Sequence, residues 1–178
     1  MRLGLTTFLA LAALAAAPVA AAEDIRLSPG EAVTLRTVAG EPLAAAATER
    51  SRAEWGAHDL RSARELVDLN QNGGGIGTGD DSVALSGGDA PPIPAQTIRF
   101  KFFHIAGQHS LLVVDNGLDE ALAYRARITV AGRTEPTDVC LVLPNRRGYE
   151  HWPYAIERIS LSELRPLPWQ EGDRVTCE

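Results

Sequence analysis

Apolar and polar residues alternate over much of the second half of the chain, which is the pattern of strands with one buried face. In residues 97–105, Ile98 and Phe100 share one face of a predicted strand, and Lys101 lies on the other. The most regular alternation covers residues 122–130. Residues 139–143 and 156–164 favour further strands, although the spacing in 156–164 also fits a helix.

The first half of the chain combines strand and helix patterns. Residues 25–38 alternate in two short stretches separated by Ser28-Pro29-Gly30, which favours two strands joined by a turn. Residues 43–69 are rich in Ala, Arg and Glu and have apolar residues at near-helical spacing. Asp59 could cap a helix there. The end of this segment also fits a strand, so helix and strand both stay open for 43–69.

Short strands separated by Gly, Pro and Asn turns, without alternating strands and helices, predict a mainly β fold. We expect an antiparallel, immunoglobulin-like β-sandwich with one short helix. Residues 23–178 are predicted to form a single domain. Within it, residues 70–95 are rich in Gly and Pro and are expected to form a long flexible loop.

Residues 1–22 have the features of a secretory signal peptide. Arg2 is followed by an apolar stretch, and small residues precede Glu23. The apolar stretch is too short to span a bilayer comfortably. We therefore expect a bacterial periplasmic or extracellular protein, with no integral membrane segment after removal of the signal.

The net charge argues against one class of partner. The chain has 178 residues and a formal net charge of −6, and Lys101 is its single lysine. Binding to nucleic acid depends largely on neutralising phosphates with Lys and Arg. Nucleic acid is therefore not expected as a partner.

Cys140 and Cys177 are the two cysteines of the chain. In an exported protein they predict one disulfide bond, which would tie the C-terminus to a central strand. No C-x-x-C redox spacing occurs, so the predicted bond is structural.

The segment 145–154 has the most distinctive composition. Pro144 and Pro153 flank or interrupt it, so we expect a surface loop. Aromatic rings and guanidinium groups suit stacking on sugars or gripping carboxylates. The candidate ligand-binding residues are Arg146, Arg147, Tyr149, His151, Trp152 and Tyr154. In the alternative interpretation, Trp152 packs on the end of the sandwich and the arginines are solvated.

The histidines suggest a second hypothesis. A two-residue turn at Ala106-Gly107 would place His104 opposite His109, with Cβ atoms about 4.5–5.5 Å apart. Such a pair could begin a zinc or copper site, with His58 or His151 as a third ligand. The alternative is two partly buried histidines that bond backbone groups. We favour that alternative and expect no metal site.

No nucleophile motif or phosphate-binding loop is present, so neither a catalytic residue nor a cofactor is predicted. The sequence favours an exported, non-catalytic module that binds a protein or carbohydrate, or a structural component of the envelope. The alternative is a hydrolase or metal-dependent enzyme with scattered site residues. A binding module would carry aromatic and Arg side chains on an open face, whereas an enzyme would show a concave pocket.

Overall fold

A computed structural model describes residues 24–38, 40–71 and 90–177. In these ranges the chain forms nine strands, one α-helix (α1, Ala57–Gln71) and a 3-10 helix (Leu43–Ala45). The strands are β1 (Ile25–Leu27), β2 (Glu31–Arg36), β3 (Ala47–Arg52), β4 (Thr97–Ile105), β5 (His109–Asn116), β6 (Ala121–Val130), β7 (Arg133–Thr137), β8 (Arg146–Trp152) and β9 (Arg158–Leu167).

The strands form two antiparallel sheets. The order is β1-β9-β6-β7 in the four-stranded sheet and β3-β2-β4-β5-β8 in the five-stranded sheet. The prediction of a mainly β, antiparallel fold with one short helix is therefore confirmed. The immunoglobulin-like subtype is not confirmed, because these orders differ from the A-B-E-D and C-F-G sheets of an immunoglobulin constant domain.

The main core lies between the two sheets. Alternate residues of β4 point into it, among them Phe100 and Phe102, which are fully buried. From the opposite sheet, Tyr124 meets Phe100 edge to face, with ring centroids 5.9 Å apart. Burial of a large apolar side chain contributes about 1.5–3 kcal/mol, so this layer stabilises the sandwich most.

A second, smaller core lies on the outer face of the five-stranded sheet, which α1 covers. Leu66 of α1 packs with Phe103 and Leu111 of the sheet. Trp55, just before the helix, stacks on Phe103 with ring centroids 3.9 Å apart. Strand β5, which lies between β4 and β8, is therefore buried on both faces, which explains its continuous apolar sequence.

The structure shows the secondary structure of segments for which the sequence allowed both a helix and a strand. The interval 43–69 contains both strand β3, on the sheet edge, and helix α1. Residues 156–164 contribute to strand β9 rather than to a helix. The predicted loop at 70–95 falls mostly on residues 72–89, which lie outside the described residues, and its first two positions belong to α1.

The strand predicted at 139–143 is wrong. This segment makes isolated bridges at Val142 and Cys140 rather than a strand. Val142 exchanges both backbone hydrogen bonds with Leu122, but the pairing stops there. The buried Asn116 side chain then satisfies the carbonyl of Leu143, to which its Nδ2 donates at 3.0 Å, so this carbonyl needs no partner in a sheet.

Candidate functional site

Charged side chains meet on the sheet face that α1 covers. The strand register places Asp115 of β5 between Arg99 of β4 and Arg147 of β8. Lys101, two residues after Arg99, lies on the same face and is buried. Buried charges are tolerated only when they are paired, so the contacts of these residues define the local structure.

Asp59 reaches this face from the first turn of α1. The N–H of Gly56, which precedes the helix, donates to Asp59 Oδ2 at 3.3 Å, as in one half of a capping box. Lys101 Nζ lies 2.5 Å from the same oxygen. Arg147 Nη1 lies 3.6 Å from Asp59 Oδ1. One buried carboxylate therefore joins the start of α1 to strands β4 and β8.

Arg147 is the second junction of this network. Its Nε donates to Asp115 Oδ1, and its side chain is only 9% exposed. Burial alone would lower the pKa of Arg147, but the hydrogen bond to Asp115 and the charges of Asp115 and Asp59 raise it above its ordinary value. We call Asp59, Lys101, Asp115 and Arg147 the ion cluster; its two positive and two negative charges cancel.

A cavity of about 480 Å³ lies beside the ion cluster at the start of α1. We call it the α1 cavity; its lining residues are Gly56, Ala57, His58, Asp59, Arg61, Pro91 and Arg147. Its volume falls in the range of about 300–1,000 Å³ that is typical of small-molecule sites. Two arginines against one aspartate give this lining a net positive charge when His58 is neutral.

His58 connects the cavity wall to Tyr149. Its Nδ1 lies 2.7 Å from Tyr149 Oη, and that hydroxyl also donates to Asp59 Oδ1 at 3.5 Å. Burial raises the pKa of Tyr149; a hydrogen bond with Ser62 opposes this effect, and the charge of Asp59 adds to it. Tyr149 is therefore a neutral hydroxyl at ordinary pH, and it links His58 to Asp59.

The prediction of a surface loop at residues 145–154 is wrong. Residues 146–152 form strand β8 and pair with β5 along its length. Pro144 and Pro153 lie just outside this strand, so they delimit it. Gly148 allows close packing, because a Cβ there would lie 2.7 Å from Val142 Cγ2. These proline and glycine residues therefore mark the ends and the close packing of an edge strand, and not a loop.

The alternation of β8 separates the predicted ligand-binding residues. Arg147, Tyr149 and His151 face the side that α1 covers, and Arg147 alone of the six residues is among those that line the α1 cavity. The alternative interpretation, in which the arginines are solvated, is wrong for Arg147, because Asp115 and Asp59 supply the partners that its burial requires.

The other predicted residues lie elsewhere. Trp152 is 7% exposed and packs in the inter-sheet core, where its Nε1 donates to Thr137 Oγ1 at 3.0 Å. Arg146 is exposed, and Tyr154, which follows the strand, is 42% exposed. The six residues therefore do not form one surface.

The histidine register predicted from the sequence is wrong by one residue. The hairpin loop has three residues, so Ile105 pairs with His109, and His104 pairs with Ser110. A slip of one residue moves a side chain to the other face of a sheet. His104 instead donates to the carbonyl of Ile156 at 2.9 Å, and His109 lies 3.0 Å from His151.

The predicted cysteine pair is at bonding distance. The two Sγ atoms of Cys140 and Cys177 lie 1.99 Å apart. The backbone N–H of Cys140 also donates to Glu150 Oε1 at 2.7 Å. Burial raises the pKa of Glu150 to about 7, although this hydrogen bond acts in the opposite direction.

Sequence reasoning missed Asp59, Lys101, Asp115 and Arg61 as site residues. They come from three different elements, so no local motif contains them. One feature of the sequence could have pointed to the site: Lys101, the single lysine of the chain, lies inside an apolar strand pattern. A charged residue at such a position requires a partner, but its identity depends on the fold.

Comparison of the chain with protein families, curated proteins and solved structures finds no match. Across the described ranges, no helix is long and apolar enough to cross a membrane. The same ranges contain no group of three or more His, Cys, Asp or Glu side chains placed to hold a metal ion.

Proposed function

We propose that the protein is an exported, non-catalytic β-sandwich that binds a small carboxylate-bearing ligand in the α1 cavity. The observation that carries the proposal is the placement of Arg61, Arg147 and His58 around one cavity. Export to the periplasm or medium after removal of residues 1–22 belongs to the same proposal.

The charges of the lining support an anionic ligand. The chain as a whole is acidic, whereas the α1 cavity has a positive lining. Arg147 already forms an ion pair with the carboxylate of Asp115. This contact fixes the rotamer of Arg147 and the orientation of its guanidinium group. A preorganised cation of this kind loses little entropy when a ligand binds. The first N–H groups of α1, at Ala57 and His58, add partial positive charge.

The size of the cavity and the predicted carbohydrate partner together favour an acidic sugar. A hexuronate carries one carboxylate on a polar ring and fits within about 480 Å³. Arg61 and Arg147 would bind its carboxylate, and His58 would bind a hydroxyl. Galacturonate is therefore the first probe, and galactose is its matched neutral control.

The first test is calorimetric titration of the protein with galacturonate and with galactose. We expect galacturonate to bind at least about tenfold more tightly, because charge-assisted hydrogen bonds contribute about 1.5–3 kcal/mol. Arg61→Gln should remove most of this difference. Arg64→Gln is the matched control, since Arg64 is exposed on the same helix outside the cavity lining. Equal affinity for the two sugars, or equal effects of the two substitutions, would contradict the proposal.

One observation favours the enzyme alternative. His58 and Tyr149 are in hydrogen-bond contact beside Asp59 at the wall of a concave cavity, and such a set could transfer protons. This alternative predicts turnover of oligogalacturonate, which NMR would detect as new sugar signals. His58→Ala would then abolish turnover. Unchanged oligosaccharide in the presence of protein that binds it would favour the binding module.

A further inference from the structure

Two imidazoles meet on the outer face of the five-stranded sheet. His109 begins β5, and His151 lies near the end of β8. His109 Nδ1 is 3.0 Å from His151 Nε2. The two ring planes differ by 14°. The ring centroids are 5.2 Å apart, and this distance is nearly the sum of the N···N distance and the radii of the two rings. The rings therefore meet edge to edge, with one nitrogen of each facing the other.

This nitrogen separation matches a pair of metal ligands. Imidazole nitrogen binds zinc at about 2.0–2.1 Å, so two ligands at angles between square and tetrahedral lie about 2.9–3.4 Å apart. The observed 3.0 Å is the length of a hydrogen bond between the rings and also falls in this range, so each ring needs only to turn for both lone pairs to point at one ion. We infer that His109 and His151 form a chelating site for a divalent transition-metal ion, Cu²⁺ before Zn²⁺.

The sheet holds the two histidines side by side before any ion binds. His151 pairs with Leu111, two residues from His109, so the two histidines are diagonal neighbours on one face. Both side chains are half-buried, which leaves one side of the pair open to solvent. An ion would replace the hydrogen bond between the rings; each ring would then bind the ion through one nitrogen and carry its proton on the other, so the ring that now donates changes tautomer.

The chemistry of the pair sets the kind of ion and the affinity. Imidazole suits copper, nickel and zinc, and copper is bound most tightly in the order of divalent ions. With no larger ligand group in the described ranges, water completes the coordination shell. The site is thus open and of moderate affinity. It shares no residue with the lining of the α1 cavity, so it stands independently of the proposed function.

The test is titration of the protein with Cu²⁺ and then Zn²⁺ by calorimetry. Wild-type protein should bind one Cu²⁺ at this site, and bind it more tightly than Zn²⁺. His109→Ala and His151→Ala should each weaken binding by more than about tenfold, because a single imidazole loses the effective concentration of a chelate. Electron paramagnetic resonance of the Cu²⁺ complex should show two nitrogen ligands in wild type.

His104→Ala is the matched control, because His104 bonds the carbonyl of Ile156 and is not part of the pair. It should bind Cu²⁺ like wild type. Thermal melts provide a second readout: Cu²⁺ should raise the Tm of wild type and of His104→Ala, and not that of the other two variants. Undiminished binding in His109→Ala or His151→Ala, or no binding in wild type, would overturn the inference. Circular dichroism confirms that each variant is folded.

Discussion

Individual residues on one strand have opposite roles here, because successive side chains of β8 point to opposite faces. Arg147 joins the ion cluster, whereas Trp152 joins the inter-sheet core. Segment composition indicated Arg147 as a candidate ligand-binding residue. It could not indicate its partners, because Asp59 and Asp115 come from α1 and β5.

Glu150 is the residue whose ionisation should most affect stability. Its carboxylate is buried near Tyr124, whose own pKa is raised first by burial and then by the charge of Glu150. Within the part of the chain that the structure describes, the Tyr124 hydroxyl has no hydrogen-bond partner. The negative charge of Glu150 is therefore poorly compensated.

The sign of the pH effect follows from the raised pKa. Between the ordinary value of 4.5 and about 7, folded Glu150 keeps a proton that the unfolded chain has lost. The contribution of Glu150 to the free energy of unfolding is therefore greatest below pH 4.5, and it is lost as the pH rises through 7, by at most about 3 kcal/mol.

Glu150→Gln should remove this contribution, since an amide oxygen still accepts from the N–H of Cys140 and carries no charge. Urea unfolding at pH 5 and pH 8 would measure it. The lowered pKa of His151, about 4, owing to burial and then to His109, acts with opposite sign as the pH falls below 6.5. The difference between wild type and variant isolates Glu150. An identical pH dependence in both proteins would contradict this account.

At the scale of elements, strong alternation of apolar and polar residues predicted strands reliably. The length of a turn, and so the register of the two strands that it joins, could not be predicted reliably. Strands β4 and β6 were predictable because their apolar residues alternate with period two. The hairpin between β4 and β5 has one more residue than expected, which reversed the face of His109. The edge strand β7 has no buried residue, so it left no hydrophobic signal.

Trp152 shows how the edge strand β8 is held on the sandwich. Because its ring is buried in the inter-sheet core, Trp152→Ala should destabilise the protein by about 3–5 kcal/mol. Tyr154→Ala, two residues later and largely solvent-exposed, should change stability by less than about 0.5 kcal/mol. Thermal and urea melts of the two variants provide the comparison. A small effect of Trp152→Ala would show that Trp152 is available at the surface, as the loop hypothesis required.

At the scale of the whole molecule, the class of fold was accessible from the sequence and the candidate site was not. Turn residues and period-two patterns are local, and they sufficed for a mainly β, antiparallel architecture. The site requires α1 to lie across one sheet, which brings Asp59 to Lys101 and Arg147. That placement depends on the second core under α1, where Trp55 and Phe103 pack together, and so on contacts distant in sequence.

The most direct test of the α1 cavity as the ligand site is an NMR titration of ¹⁵N-labelled protein with galacturonate. The account predicts that the side-chain Nε–H signals of Arg61 and Arg147 shift together with the backbone amides of Ala57 and His58, with one affinity. The Nε–H signal of Arg146, on the other face of β8, should stay unchanged. Shifts confined to Arg146 and Tyr154, or no shifts at millimolar galacturonate, would contradict the central claim.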